Sequence, residues 1–185
     1  MTQNADEPIT KTIDGCRLEL VRGDITGQGT EAIVNAANER LAPGGGVAGA
    51  IHRAAGNKLW EECKELGGCE TGEAKITGGY DLPAEYIIHT VGPVYSNSPE
   101  DPRLLEASYR NSLELARKNQ IASISFPALS TGAFGYPKRE AGEIALKTII
   151  DYLRANSSPQ LVRLVLFGKS SFELHSEIFN TIFQN

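Results

Sequence analysis

At 185 residues the chain can hold one domain with a substantial core and is short for two. Its 41% hydrophobic and 22% charged residues exclude a disordered tail and a fibrous repeat. Eighteen basic against 23 acidic residues leave a net charge of -5, which argues against general affinity for nucleic acid or anionic membrane but permits a local anion site built from backbone amides.

Residues 1–8 read as a flexible terminus and 9–185 as a single domain. The start, "MTQNADEPIT", lacks the basic-then-apolar order of a signal peptide, and no apolar run reaches the roughly 18 residues of a membrane span. The expected location is cytoplasmic. "ITKTI" and "CRLELVRGD" flank Asp14-Gly15, a hairpin signal. "TEAIVNAA" carries a short apolar run that reads as a buried strand. The glycine run Gly44, Gly45 and Gly46 follows, then an alanine-rich helix over 47–55 and a second over 59–66. "EAKITGGYDLP" suggests a strand and turn, and "YIIHTVGP" a strand ended by Gly92-Pro93.

The next helix reads as 102–118, with Asp101 as its cap and Pro102 in its first position. "IASISFPAL" is another strand, followed by the second glycine-rich loop, "STGAFGYP". In the helix over 137–154, Ala141, Ala145, Thr148 and Tyr152 share one face. "LVRLVLFG" is the last strand and 172–183 the last helix, with His175, Ile178, Phe179 and Ile182 at helical spacing. Strands alternating with helices predict an α/β sandwich, and the initial hairpin makes its sheet mixed. Cys16, Cys63 and Cys69 form no CxxC and, with only three histidines, no zinc spacing, so they read as reduced thiols.

Both glycine loops follow a strand and precede a helix, where sheet proteins place ligands and where free amides accept phosphate. Such a pair could grip two sides of a diphosphate; plain tight turns are the other reading. No P-loop, dinucleotide fingerprint or Gly-x-Ser-x-Gly elbow is present.

"GDIT" at 23–26, "IVNAAN" at 33–38, "GGGVAGAIHRAAG" at 44–56, "TGEAKIT" at 71–77, "YIIHTVGP" at 86–93 and "FPALSTGAFGYP" at 126–137 resemble, in order, the motifs of the macrodomain family, closest to its MacroD-type branch. The resemblance covers roughly residues 16–183. It implies a three-layer α/β/α sandwich around a six-stranded mixed sheet, with ADP-ribose bound at the strand ends. It implies that Asp24 recognises the adenine amino group and that Ile25 offers its amide to the same base. Gly44, Gly45, Gly46 and Val47 would wrap the diphosphate and distal ribose. Ser130, Thr131, Gly132, Ala133 and Phe134 would close from the other side, with Phe134 near the distal ribose. Phe167 would stack near the adenine, and Asn38 would bond a ribose hydroxyl. Each residue has a plainer reading: Asp24 as a turn cap, Phe167 as core, Phe134 as structural, and Asn38 as a loop or cap residue. Asn35 reads as a tie between loop backbones.

The pattern breaks at one place. MacroD-type hydrolases carry an aspartate where this chain has Ala48, one helical turn before His52. Alanine cannot take a proton or orient a water. Viral macrodomains resembling "GGGVAGA" also lack the aspartate and are counted among removers of ADP-ribose, with the substrate's diphosphate proposed to position the water. His52 then holds water or donates to the departing oxygen, or it is a buried histidine on a helix face. Two functions stay open: hydrolysis of ADP-ribose esters, on protein aspartate or glutamate or on O-acetyl-ADP-ribose, with Asn38 and His52 as catalytic residues, and non-catalytic reading of ADP-ribose. The family's chemistry needs no metal or other cofactor. No paired glutamates support cleavage inside poly-ADP-ribose. The expected partners are ADP-ribose and ADP-ribosylated protein or O-acetyl-ADP-ribose, with neither membrane nor nucleic acid.

Overall fold

The structure is a computed structural model that describes residues 7–184. Most of the flexible terminus expected over 1–8 lies outside the described residues. The elements run β1 (Ile9–Ile13), β2 (Cys16–Arg22), a 3-10 turn (Ile25–Gly27), β3 (Ala32–Ala36), α1 (Gly46–Ala55), α2 (Asn57–Glu65), β4 (Ala74–Gly78), β5 (Tyr86–Thr90), α3 (Glu100–Lys118), β6 (Ser123–Phe126), α4 (Lys138–Asn156), β7 (Leu161–Leu166) and α5 (Lys169–Phe183). They form one sheet of order β1-β2-β7-β6-β3-β5-β4. The five central strands are parallel, while β1 and β4 pair antiparallel at the two edges.

The sheet separates two apolar layers. The short central strands are buried on both faces, which is why "AIVNA" and "YIIHT" lack polar alternation. Val34 and Ile88 pack with Leu105, Tyr109, Ala145, Ile149 and Phe179 against α3, α4 and α5. On the opposite face, Ile33 and Ile87 pack with Ile51, Leu59 and Cys63 of α1 and α2. The result is the expected α/β/α sandwich. The helical stripes follow: Ala141, Ala145, Thr148 and Tyr152 of α4 are buried, as are His175, Ile178 and Phe179 of α5.

Two expectations need correction. The sheet has seven strands, not six, because the Asp14-Gly15 hairpin gives β1 full pairing along β2, from Ile9 opposite Leu20 to Ile13 opposite Cys16. Helix α3 starts at Glu100 rather than residue 102, and Asp101 does not cap it. Asp101 is buried in the first turn, where its carboxylate accepts from Ser96 N (2.8 Å), Ser98 N (3.2 Å) and Ser96 Oγ (3.1 Å). These bonds hold its pKa below the usual carboxylate value. The proline signal fixed the helix near the right place, but the aspartate ties the preceding loop.

The exit of β6 into the second glycine loop meets one buried tyrosine. Tyr109 of α3 is 1% exposed; its hydroxyl donates to Pro127 O (3.4 Å) and accepts from Leu129 N (3.0 Å), at the exit of β6. Tyr109→Phe leaves the Leu129 amide without its acceptor. It should lower stability by about 1–3 kcal/mol, read as a lower urea midpoint at unchanged slope.

Candidate functional site

The parallel strands deliver their C-terminal ends to one edge of the sandwich. At one end of that edge Asp24 follows β2 and opens the 3-10 turn. Its Oδ1 accepts from Thr26 N (2.9 Å) and Thr26 Oγ1 (2.7 Å), so the cap reading is realised. Both bonds use the same oxygen, and Oδ2 accepts no hydrogen bond from a described residue. Ile25, first in the turn, has an N–H with no partner inside it. Asp24 and Ile25 line a cavity of about 370 Å³ together with Gly46, Val47, Ala50 and Phe167. Phe167 is 83% exposed, which removes the core reading.

The turn carrying Asp24 is held from below. Glu19 of β2 is buried and pairs with Arg163 of β7, its direct ladder neighbour (2.8 Å). Arg163 also donates to Gln28 Oε1 (3.0 Å), and Gln28 Nε2 donates to Asp24 O (3.0 Å). Sequence reasoning missed this chain. Its signal was a lone acid in "CRLELVR" and a lone base in "LVRLVL", at positions that fall opposite each other.

The glycine run has a geometric answer. Gly46 begins α1 at φ +54°, in the left-handed region. Gly49 sits where a Cβ would lie 2.3 Å from Gly44 O, so the loop rests directly on the helix. Gly45 has an ordinary φ of -88°, and open space lies where its Cβ would be. No side chain caps α1, and its first internal bond is Gly49 N to Gly45 O (3.1 Å). The N–H groups of Gly46, Val47 and Ala48 therefore have no partner within the helix, which makes this end receptive to an anion. The second loop is closed by Tyr136 N donating to Ser130 O (2.9 Å) and Gly135 N to Gly132 O (3.0 Å). Thr131 Oγ1 donates to Ala128 O (2.8 Å), and Gly132 and Ala133 are exposed. Ser130 holds φ +67°, and its buried hydroxyl has no partner and lies against Gly92.

Beyond the glycine run, Asn38 and Phe134 share a cavity of about 480 Å³ with Ala42, Pro43, Gly92 and Val94. Asn38 staples its own loop: Oδ1 accepts from Arg40 N and Ala42 N (both 3.1 Å), and Nδ2 donates to Ala42 O (2.9 Å). The loop-tying assigned to Asn35 thus falls to Asn38. Asn35 is buried in β3 and contacts His89, its direct partner in β5, at 3.0 Å. The Thr77 hydroxyl donates to Gly78 O and so accepts from His89 Nε2–H (2.8 Å), which leaves Nδ1 to accept from Asn35 Nδ2. Asn35 Oδ1 remains buried and unpartnered.

Ala48 is buried under the glycine run. His52, one turn on, is 8% exposed, and its Nε2 is sealed without a partner. It lines neither cavity above. It belongs to a third, of about 430 Å³ between α1 and α2, with Gly44, Gly49, Arg53 and Trp60. The structure therefore brings Asp24, Ile25, Gly46, Val47 and Phe167 together, and Asn38 with Phe134; His52 lines the third cavity, which shares Arg53 with the first and Pro43 with the second.

Burial lowers the pKa of all three histidines; His89 is pushed down to about 3, with the nearby His52 ring adding to the effect. The unfolded chain protonates near 6.5, so between there and the folded values it binds more protons than the fold does. Stability should fall as pH drops from 6.5 to 4.5, by at most about 1.4 kcal/mol per pH unit for each histidine. In urea titrations across that range, His89→Gln should flatten the slope; an unchanged slope contradicts a neutral, buried His89.

The Macro domain family model matches residues 34–145. ADP-ribose glycohydrolase MACROD2 of Xenopus laevis is 46% identical over 170 residues, covering 90% of this chain and 41% of that protein. The O-acetyl-ADP-ribose deacetylase of Cronobacter turicensis is 47% identical over 167 residues, covering 88% of this chain and 95% of that one. The structure of an Oceanobacillus iheyensis macrodomain with ADP superposes with a TM-score of 0.93 at 44% identity, covering 96% and 97% of the two chains. The family model spans more than half of the chain and the relatives match most of it, and the chain belongs to the macrodomain family.

Proposed function

We propose that this macrodomain binds ADP-ribose along the strand ends and hydrolyses its mono-ADP-ribose esters, on protein aspartate or glutamate or as O-acetyl-ADP-ribose. The observation that carries the reading is the open space over Gly45, flanked by one cavity with an acidic acceptor and an exposed aromatic, and by another with an amide and a half-buried aromatic. In this reading Asp24 Oδ2 accepts from the adenine amino group and Ile25 N–H donates to the ring. Phe167 covers the base. The free amides at the start of α1 and the loop over 130–136 take the diphosphate between them. Asn38 and Phe134 orient the distal ribose.

The chemistry must proceed without a carboxylate at position 48. Water adds at the ester, the bond to the acyl group breaks, and the products are ADP-ribose and a carboxylate. Ala48 accepts no proton, and burial keeps His52 neutral at pH 7. Its sealed Nε2 makes it a poor donor to a departing oxygen. The proton of the attacking water passes to the substrate's own diphosphate, held over α1, and returns to the departing ribose oxygen as the acyl bond breaks. The protein contributes orientation and the field of the helix amides. The same two facts favour a second reading, in which the domain binds ADP-ribose without cleaving it. Incubation with a protein mono-ADP-ribosylated on glutamate, following ADP-ribose release, separates the two.

Asp24→Asn keeps a cap for Thr26 but removes the charged acceptor. It should weaken ADP-ribose binding by about 1.5–3 kcal/mol in calorimetry; unchanged affinity in a folded variant removes Asp24 from base recognition. Position 48 is the third residue of α1, where a carboxylate is favoured by the helix dipole. Ala48→Asp should raise turnover by about tenfold or more, toward the roughly 10²–10⁴-fold typical of general-base assistance. Should the parent and Ala48→Asp both release no ADP-ribose while binding it, the hydrolase reading is abandoned in favour of the reader.

A further inference from the structure

The distal cavity extends past Asn38 and Phe134 to side chains that the reading above leaves unused, among them Arg40, Val94, Glu39 and Thr71. Val94 is 62% exposed. Among the described residues only two other large apolar side chains are exposed. One is Tyr80, whose hydroxyl donates to Glu62 (2.7 Å), and the other is Phe167 in the base cavity. The two that lack such a bond line different cavities, Phe167 the one with Asp24 and Val94 the one with Asn38. Phe167 is given the base to cover in the reading above; Val94 has no such role, and an exposed branched side chain at a cavity wall gains by meeting methylene groups.

Arg40 supplies the complementary chemistry. Its backbone N–H is fixed by Asn38 Oδ1, but its guanidinium has no ion pair or hydrogen bond to any described residue. The adjacent carboxylate, Glu39, accepts the Thr71 hydroxyl (2.9 Å) instead. In a chain of net charge -5, an unpaired arginine beside an open cavity is a local attractor for negative charge.

We infer that Arg40 and Val94 form an acceptor-side subsite for the acidic polypeptide that carries the ADP-ribose. Val94 packs on the aliphatic stem of the modified aspartate or glutamate, and Arg40 pairs with a carboxylate from a flanking acidic residue. An acetyl group offers neither a stem nor a flanking charge. The subsite thus selects protein-linked ADP-ribose over O-acetyl-ADP-ribose. This inference rests on the ADP-ribose reading above.

The test compares three probes by calorimetry at low salt: ADP-ribose, an acidic peptide carrying ADP-ribose through a hydrolysis-resistant amide, and the same conjugate with its flanking acids changed to neutral amides. The parent should bind the acidic conjugate more tightly than free ADP-ribose. Arg40→Gln should weaken the acidic conjugate by up to about fivefold, the upper end for one exposed ion pair, and leave ADP-ribose and the neutral conjugate unchanged. Val94→Ser should weaken both conjugates and leave ADP-ribose unchanged. Equal affinity of the parent for all three probes overturns the subsite, as does an unchanged ratio of conjugate to ADP-ribose in Arg40→Gln. If ADP-ribose itself fails to bind the parent, the functional reading falls and the subsite with it; if ADP-ribose binds and the ratios are flat, the subsite alone falls.

Discussion

The close approach of Gly44 O to Gly49 is the contact on which the site depends. A Cβ at position 49 would sit 2.3 Å from that carbonyl, inside any permitted contact. With glycine there, the loop lies against the first turn of α1 and the helix start is left uncapped. An anion site made this way needs no basic side chain, which reconciles a diphosphate-binding reading with a net charge of -5. The flanking cavities inherit their spacing from the same contact, because Gly46 and Val47 wall one and Pro43 the other.

Beneath the loops, polar groups replace apolar packing where the strands end. The Thr77–His89–Asn35 chain crosses β4, β5 and β3 on the face covered by α1 and α2. The Glu19–Arg163–Gln28 chain crosses β2 and β7 and reaches Asp24. Directional bonds admit fewer arrangements than side chains that only fill space, so the turn and loops leave the sheet at defined angles. Asn38 extends the pattern by holding its own loop in place with three bonds while still facing the distal cavity.

Much of this was legible in the sequence. Continuous apolar runs marked the central strands, and Asp14-Gly15 marked the hairpin. The glycine loops fell at strand-to-helix junctions as expected. The structure assigns two glycines of the first stretch physical duties, positive φ at Gly46 and close approach at Gly49. What escaped were the relations between distant strands. Nothing in "CRLELVR" alone says that Glu19 lies opposite Arg163, since register emerges only when the sheet assembles. That the loop tie expected of Asn35 falls to Asn38 was hidden for the same reason: Asn35 faces His89 because β3 and β5 are neighbours, although 54 positions separate the two residues. His52 kept its sequence spacing, yet helix orientation turned its Nε2 into the protein interior.

Strand β1, the addition that made the sheet seven-stranded, also sets how the molecule meets its own copies. An edge strand carries unpaired amides and carbonyls that can template a neighbouring chain. In "ITKTI" the central residue is Lys11, whose ammonium lies 5.5 Å from the Phe183 ring centroid and whose side chain is exposed. A second chain adding to this edge must strip water from that ammonium or break its contact with the ring. Lys11 thus puts a charge on the edge strand that completes the hairpin, a residue type that disfavours edge-to-edge pairing.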